Sequence, residues 1–189
     1  MPDLAKISDR KSTTMIDIDK CSITRYPAPV LGEAAKPVEE INDNIRLLAD
    51  KMLDIMVETK GVGLAGPQAG VPLRIFVVSV DGTKENGKVY INPTIEPSGD
   101  LEPSEEGCLS LPGIYTKVRR YTNCKVKATG LDGKEFTEEA TGLLARAFQH
   151  ENDHLEGRLI VDRIGQVAKI AIRGRLKELR EIYEKSIKR

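Results

Sequence analysis

The chain has no tryptophan, few aromatics (4%), two histidines and three cysteines in 189 residues. Cys21, Cys108 and Cys124 are an odd number without a C-x-x-C pair, which argues against a disulfide framework and for a reducing, cytoplasmic compartment. No apolar run approaches the roughly 20 residues that cross a bilayer, so no membrane role is expected. Met1 to Ser22 lacks the apolar stretch of a secretory signal, and Asp3, Asp9, Asp17 and Asp19 argue against a transit peptide. An excess of either charge is also missing. Lys plus Arg and Asp plus Glu stand at 29 each, so no basic field draws the chain to nucleic acid and no specific nucleic-acid binding is expected.

What is present suits one soluble globular domain: 40% hydrophobic and 31% charged residues, enough Val, Ile and Leu for a core without staples. Residues 1–22 read as a polar, partly disordered N-terminal extension, with Met15 as an alternative start. Residues 23–189 read as a single catalytic domain ending in a helix over about 165–188. Within it, Pro27 and Pro29 forbid a helix over Thr24 to Leu31. Ile41, Ile45, Leu48, Met52 and Ile55 predict a helix from about Val38 to Val57, which Gly61 stops after Lys60. The glycine-rich stretch 61–70 reads as a loop, and the apolar, β-branched run Leu73 to Val80 as a buried strand.

A further strand begins at Val89 to Ile91, followed by a loop with Pro93, Pro97, Pro103 and Pro112. Tyr121 to Thr141 reads as a hairpin turning at Asp132-Gly133. Leu143, Leu144, Ala147, Phe148 and Leu155 mark a helix that Thr141 caps and Gly157 ends. Val167, Ile172, Leu176, Leu179 and Tyr183 form one stripe on the last segment, as on a docked amphipathic helix. Strands grouped between helices, rather than alternating with them, predict an α+β fold: antiparallel β-sheets packed around a central helix, with a C-terminal helix.

That central helix carries His150-Glu151-Asn152-Asp153-His154. Residues four apart share a helix face, so His150 and His154 can direct ring nitrogens at one cation, with Glu151 beside them to act on a bound water. Two histidines placed at random fall four apart on the order of one time in a hundred, so structural or surface roles are the weaker reading. A catalytic site of this type takes a third protein ligand and keeps one position for water. The metzincin spacing fits Gly157 but meets Ile160 where a histidine is required. Glu178 and Glu181 satisfy a thermolysin-like spacing but lie in a charged segment that reads as a solvated face. Lone cysteines are mostly inert and buried, the reading given to Cys21 and Cys124. For Cys108, in Glu106-Gly107-Cys108-Leu109-Ser110, spacing alone leaves an inert role and a ligand role level.

Three segments, Gly61-Val62-Gly63-Leu64-Ala65-Gly66-Pro67-Gln68, Glu106-Gly107-Cys108-Leu109-Ser110 and His150-Glu151-Asn152-Asp153-His154-Leu155-Glu156-Gly157, resemble the signature motifs of bacterial peptide deformylases in order and spacing. The resemblance covers roughly Ile23 to Ile164 and extends to the C-terminal helix. Within the motifs Gly66 departs, standing where alanine is usual. The resemblance implies removal of the formyl group from N-terminal formyl-methionine of new polypeptides, at the ribosome. It assigns Cys108, His150 and His154 to the metal, Glu151 to proton transfer, and Gln68 with the backbone N–H of Leu109 to the formyl oxygen. It places Val62, Glu106, Leu143, Arg146 and Ala147 near the methionine side chain, Gly63 as a backbone contact and Tyr115 at the pocket mouth. It implies Fe(II), for which Zn(II), Ni(II) or Co(II) can substitute, since a thiolate with two imidazoles suits all four. An unusual metallopeptidase and a silent metal- or peptide-binding protein remain as alternatives, separable by activity.

Overall fold

The computed structural model describes residues 16–188. Most of the expected N-terminal extension, with Met15, lies outside them. Of its remainder, Ile16, Ile18 and Cys21 pack onto the first core cluster, around a 3-10 turn at Ile18–Lys20. A second 3-10 turn, Pro29–Gly32, begins with Pro29 at its first position. Pro27 and Pro29 exclude an α-helix there, but proline's fixed φ is compatible with a first helical turn.

Helix α1 spans Asp43–Glu58 and starts later than the apolar spacing predicts. Val38 is tied elsewhere: its N–H donates to Asn92 Oδ1 and its carbonyl accepts from Asn92 Nδ2, both at 2.8 Å. The helix begins instead at Asn42, whose side chain accepts from the Ile45 N–H at 3.2 Å, as an N-cap does. At the other end Lys60, not Gly61, takes the left-handed conformation (φ 56°). Gly61 serves close packing, since a Cβ there would lie 2.9 Å from Leu109 Cδ1.

The expected 61–70 loop contains a short strand, β1 (Gly63–Ala65), and a 3-10 turn, Gly66–Ala69. It leads to β2 (Ile75–Val78), β3 (Lys88–Gly107), β4 (Tyr115–Thr129) and β5 (Glu135–Thr141), which pair antiparallel in chain order as one five-stranded sheet. The expected proline loop is the largest departure, because Pro93, Pro97 and Pro103 all lie within β3. Strand β2 pairs only with Lys88 to Ile91, so the rest of β3 has β4 on one side and a free edge on the other, where a missing N–H breaks no ladder. Register shifts between Ile91 and Thr94 and between Ser98 and Leu101 accommodate the remaining irregularity.

Alternation along β2 explains its unbroken apolar run. Ile75 and Val77 join the cluster of Leu48, Met52 and Met56 from α1, whereas Phe76 and Val78 join the cluster of Ala145, Phe148 and Leu155. The latter three belong to α2 (Gly142–Leu155), which caps at Thr141 without a side-chain bond and ends just before Gly157 (φ 68°). Both faces of β2 are therefore covered by helices, and each of its large side chains contributes roughly 1.5–3 kcal/mol by leaving water. The motif-bearing helix is central, as expected. Helix α3 (Gln166–Ile187) docks more narrowly than its stripe predicts: Leu179 is buried, Ile172 and Leu176 partly so, while Val167 is 84% exposed.

Candidate active site

The interior face of α2 brings His150 and His154 together, their ring centroids 5.1 Å apart. Cys108 reaches them from the turn after β3: its Sγ lies 3.3 Å from His154 Nε2. One atom from each of the three residues falls within 4.8 Å of the others. A sulfur and two imidazole nitrogens so placed suit a borderline-soft divalent cation. The His150 Nδ1 lies 3.1 Å from Glu106 Oε2, the carboxylate–histidine arrangement that leaves Nε2 to face a metal. Glu151 Oε2, His154 Nδ1 and Ser110 Oγ are buried without a hydrogen-bond partner. For Glu151, whose carboxylate lines the same cavity, such an orphan points to a polar guest at the site.

The cavity has a volume of about 520 Å³ and is lined by Val62, Gly63, Gln68, Glu106, Cys108, Leu109, Leu143, Arg146, Ala147, His150 and Glu151, so eleven of the twelve sequence-assigned site residues share one wall. His154 lies behind it, 1% exposed. Gln68 is buried rather than an exposed loop glutamine; its Oε1 accepts from the Ala65 N–H at 2.8 Å, which turns Nε2 toward Cys108 Sγ, 3.5 Å away. The Leu109 N–H donates to no backbone or side-chain acceptor among the described residues. Leu143 and Tyr115 are exposed at the mouth. Gly66 has no room for the usual alanine methyl, which would lie 2.6 Å from Leu73 O and 2.8 Å from Val71 O.

At Gly63 an added Cβ would stand 2.5 Å from Glu151 Oε1. Gly63→Ala is expected to leave the fold intact, because the obstructing atoms belong to a side chain. It displaces that carboxylate and lowers kcat/KM on the order of a hundredfold, the usual cost of misplacing a reacting group by about an ångström. Parallel measurements of kcat/KM and the thermal midpoint check this expectation.

Two of the lining residues, Glu106 and Arg146, are also tied to one another. Glu106 is 7% exposed and both its oxygens are engaged: Oε1 accepts from Arg120 Nε and Arg146 Nη1, Oε2 from Arg120 Nη2 and faces His150 Nδ1. Arg146 lines the cavity with its stem while its guanidinium turns to Glu106 and backbone carbonyls. Sequence reasoning missed Arg120, Asp153 and Gln149. Arg120 also pairs with Asp153, which Arg163 holds from its other side. Gln149 fastens α2 to β4 through the Tyr121 N–H and carbonyl at 3.0 and 2.9 Å. A signal for Arg120 existed in the period-two burial of Thr116, Val118 and Arg120 on β4, which makes Arg120 inward-facing.

Burial alone would raise Glu106, but hydrogen bonds from His150 and Arg120, with the Arg120 charge, outweigh it and pull the carboxyl down to about 2. Burial pushes Glu151 up to about 7 and holds His154 well below the ordinary histidine value. For His150 burial acts in the same downward sense but is outweighed by hydrogen bonds to Cys108 and Glu106, leaving it well above that value.

The sequence model of the polypeptide deformylase family matches residues 20–169. A peptide deformylase of Pseudomonas aeruginosa is 42% identical over 158 residues, 83% of this chain and 94% of that protein. One from Thermodesulfovibrio yellowstonii is 44% identical over 157 residues, 82% and 95% of the two chains. The crystal structure of a plant peptide deformylase superposes with a TM-score of 0.83 at 39% identity, covering 88% of this chain and 92% of that one. A Plasmodium falciparum peptide deformylase gives a TM-score of 0.83 at 38% identity, with 86% and 97% covered.

Proposed function

Because the chain belongs to the peptide deformylase family, metal-dependent hydrolases that remove the formyl group of nascent polypeptides, we propose that Cys108, His150 and His154 are its metal ligands and Glu151 its proton-transfer group. The observation that carries this assignment is the convergence of one sulfur and two imidazoles at or just behind the wall that also presents Glu151 and Gln68. A divalent cation held by Cys108, His150 and His154 would supply Lewis acidity to the formyl group and to a water beside it. Glu151 accepts a proton from the attacking water and delivers it to the departing amine as the formyl C–N bond breaks, so that formate and a free methionyl amine result. Gln68 Nε2, held by the bond from Ala65 to its oxygen, and the Leu109 N–H donate to the formyl oxygen as charge develops there.

Val62, Leu143, Ala147 and the Arg146 stem give the methionine side chain an apolar wall, and the Gly63 backbone pairs with the substrate chain. Fe(II) is the proposed resident metal, with Zn(II), Ni(II) or Co(II) as substitutes for the same donors. The substrates are formyl-methionyl chains emerging from the ribosome, and the free cysteines support a reducing, cytoplasmic location. Residues 23–189 form the catalytic domain. No helix of the described residues is long and apolar enough to cross a membrane.

Anaerobic incubation with a formyl-Met peptide is expected to release formate, and chelation to abolish that release. An unformylated peptide run beside it tests for proteolysis. Internal peptide cleavage would replace this reading with a metallopeptidase, and the absence of either product with a binding protein.

A further inference from the structure

Arg146 lies four residues before His150 on α2, on the same helix face, and its guanidinium is engaged by protein acceptors. Nη1 donates to Glu106 Oε1 at 2.9 Å and to Val118 O at 3.2 Å, while Nη2 donates to Glu102 O at 3.2 Å. One guanidinium thus joins β3, β4 and α2 at the carboxylate that faces His150 Nδ1. The side chain is 17% exposed and the Glu106 side chain 6%, so the bond to Glu106 forms largely out of water, where charge-assisted donors hold geometry well. Arg120 grips Glu106 through both oxygens but approaches from β4 alone. Arg146 supplies the remaining donor to Oε1 from the helix that bears the histidine.

We propose that Arg146 is a positioning residue of the metal site, acting through Glu106 to fix the ring of His150, while its stem walls the methionine pocket and presents no free cation there. This rests on the ligand assignment made above. It adds to the family-based expectation, which places Arg146 near the substrate side chain. One side chain then serves both the pocket wall and the ligand's orientation.

The test uses the full chain, Co(II) as probe, and the variants Arg146→Met and Arg146→Lys. Methionine keeps an apolar stem and removes every donor; lysine keeps the charge without the fork that reaches three acceptors. Loss of an outer partner of a metal-bound histidine costs about 10- to 100-fold in metal affinity or activity. With Arg120 still holding Glu106, Arg146→Met is expected near the lower end: Co(II) affinity and kcat each about tenfold down, a shifted Co(II) visible band, and KM within about twofold. Arg146→Lys is expected to recover part of the affinity.

A rise in KM with unchanged Co(II) affinity and spectrum would make Arg146 a substrate contact and overturn the proposal. No change in any readout would overturn it too. Should Arg146→Met fail to fold, Arg146→Lys decides alone: weakened Co(II) binding supports the proposal, wild-type binding and spectrum sink it. A wild-type chain that binds Co(II) yet releases no formate would end the deformylase assignment while leaving the metal readout to judge Arg146. A wild-type chain that binds no Co(II) would end the ligand assignment and, with it, this proposal.

Discussion

Glu151→Gln is expected to lower formate release about a thousandfold while the protein keeps its metal and its thermal midpoint, the middle of the range that a positioned proton-transfer group supplies. The substitution preserves the shape of the side chain and removes only its ability to take up and return a proton. Glu151 takes part in no ion pair among the described residues, and its Oε2 has no partner to lose. The three proposed ligands, Cys108, His150 and His154, are untouched, so metal content measured on the same sample isolates the chemical role from the structural one. Near-normal turnover with metal bound would remove Glu151 from the mechanism. Gly63→Ala perturbs the same carboxylate by displacement rather than by chemistry, so its smaller expected loss orders the two effects.

The elements that carry the site were legible where local pattern and tertiary demand agree. Helix α2 has an apolar stripe, a capping threonine and a terminal glycine, and all three mark the observed bounds. The hairpin of β4 and β5 turns where Asp132-Gly133 says it should, with Gly133 at φ 79°. Strand β3 was legible only at its start, Val89 to Ile91, because proline excludes a central strand but not a free edge, and only the sheet order reveals that β3 has one beyond Ile91. The start of α1 failed for a related reason: Val38 falls on the helical spacing, yet Asn92, 54 residues away, claims its backbone.

The site divides along the same line. The histidine pair and Glu151 follow from helix geometry, and Cys108 is one of only three cysteines that could complete the set. What was not legible is how the charges between them are neutralised. Glu106 and Arg146 both line the cavity, but no spacing rule showed that they also pair with one another. Asp153, inside the motif, is only 3% exposed. A carboxylate so enclosed requires a cation beside it, and Arg120 and Arg163 supply it from parts of the chain that no spacing rule connects to α2.

Arg120→Met is therefore expected to have the largest effect on stability. Arg120 is 4% exposed and bridges Glu106 and Asp153, so the substitution takes one of two arginines from each of two buried carboxylates at once. Removing one partner of a buried pair costs about 3–5 kcal/mol, and at about 2–4 °C per kcal/mol for a domain of this size the thermal midpoint should fall by roughly 10 °C. Surface pairs offer the contrast. Lys84, 37% exposed between Asp50 and Asp54, belongs to the class worth about 0–1 kcal/mol. The loss at Arg120 should also reach the metal, because Glu106 then faces His150 with one of its two arginines gone. Arg120→Met thus lowers thermal midpoint and metal affinity together, whereas Glu151→Gln lowers neither. Calorimetry and Co(II) titration on the two variants separate those patterns. A midpoint within a degree of wild type for Arg120→Met would mean that water reaches the two carboxylates, and that the network contributes little to the fold.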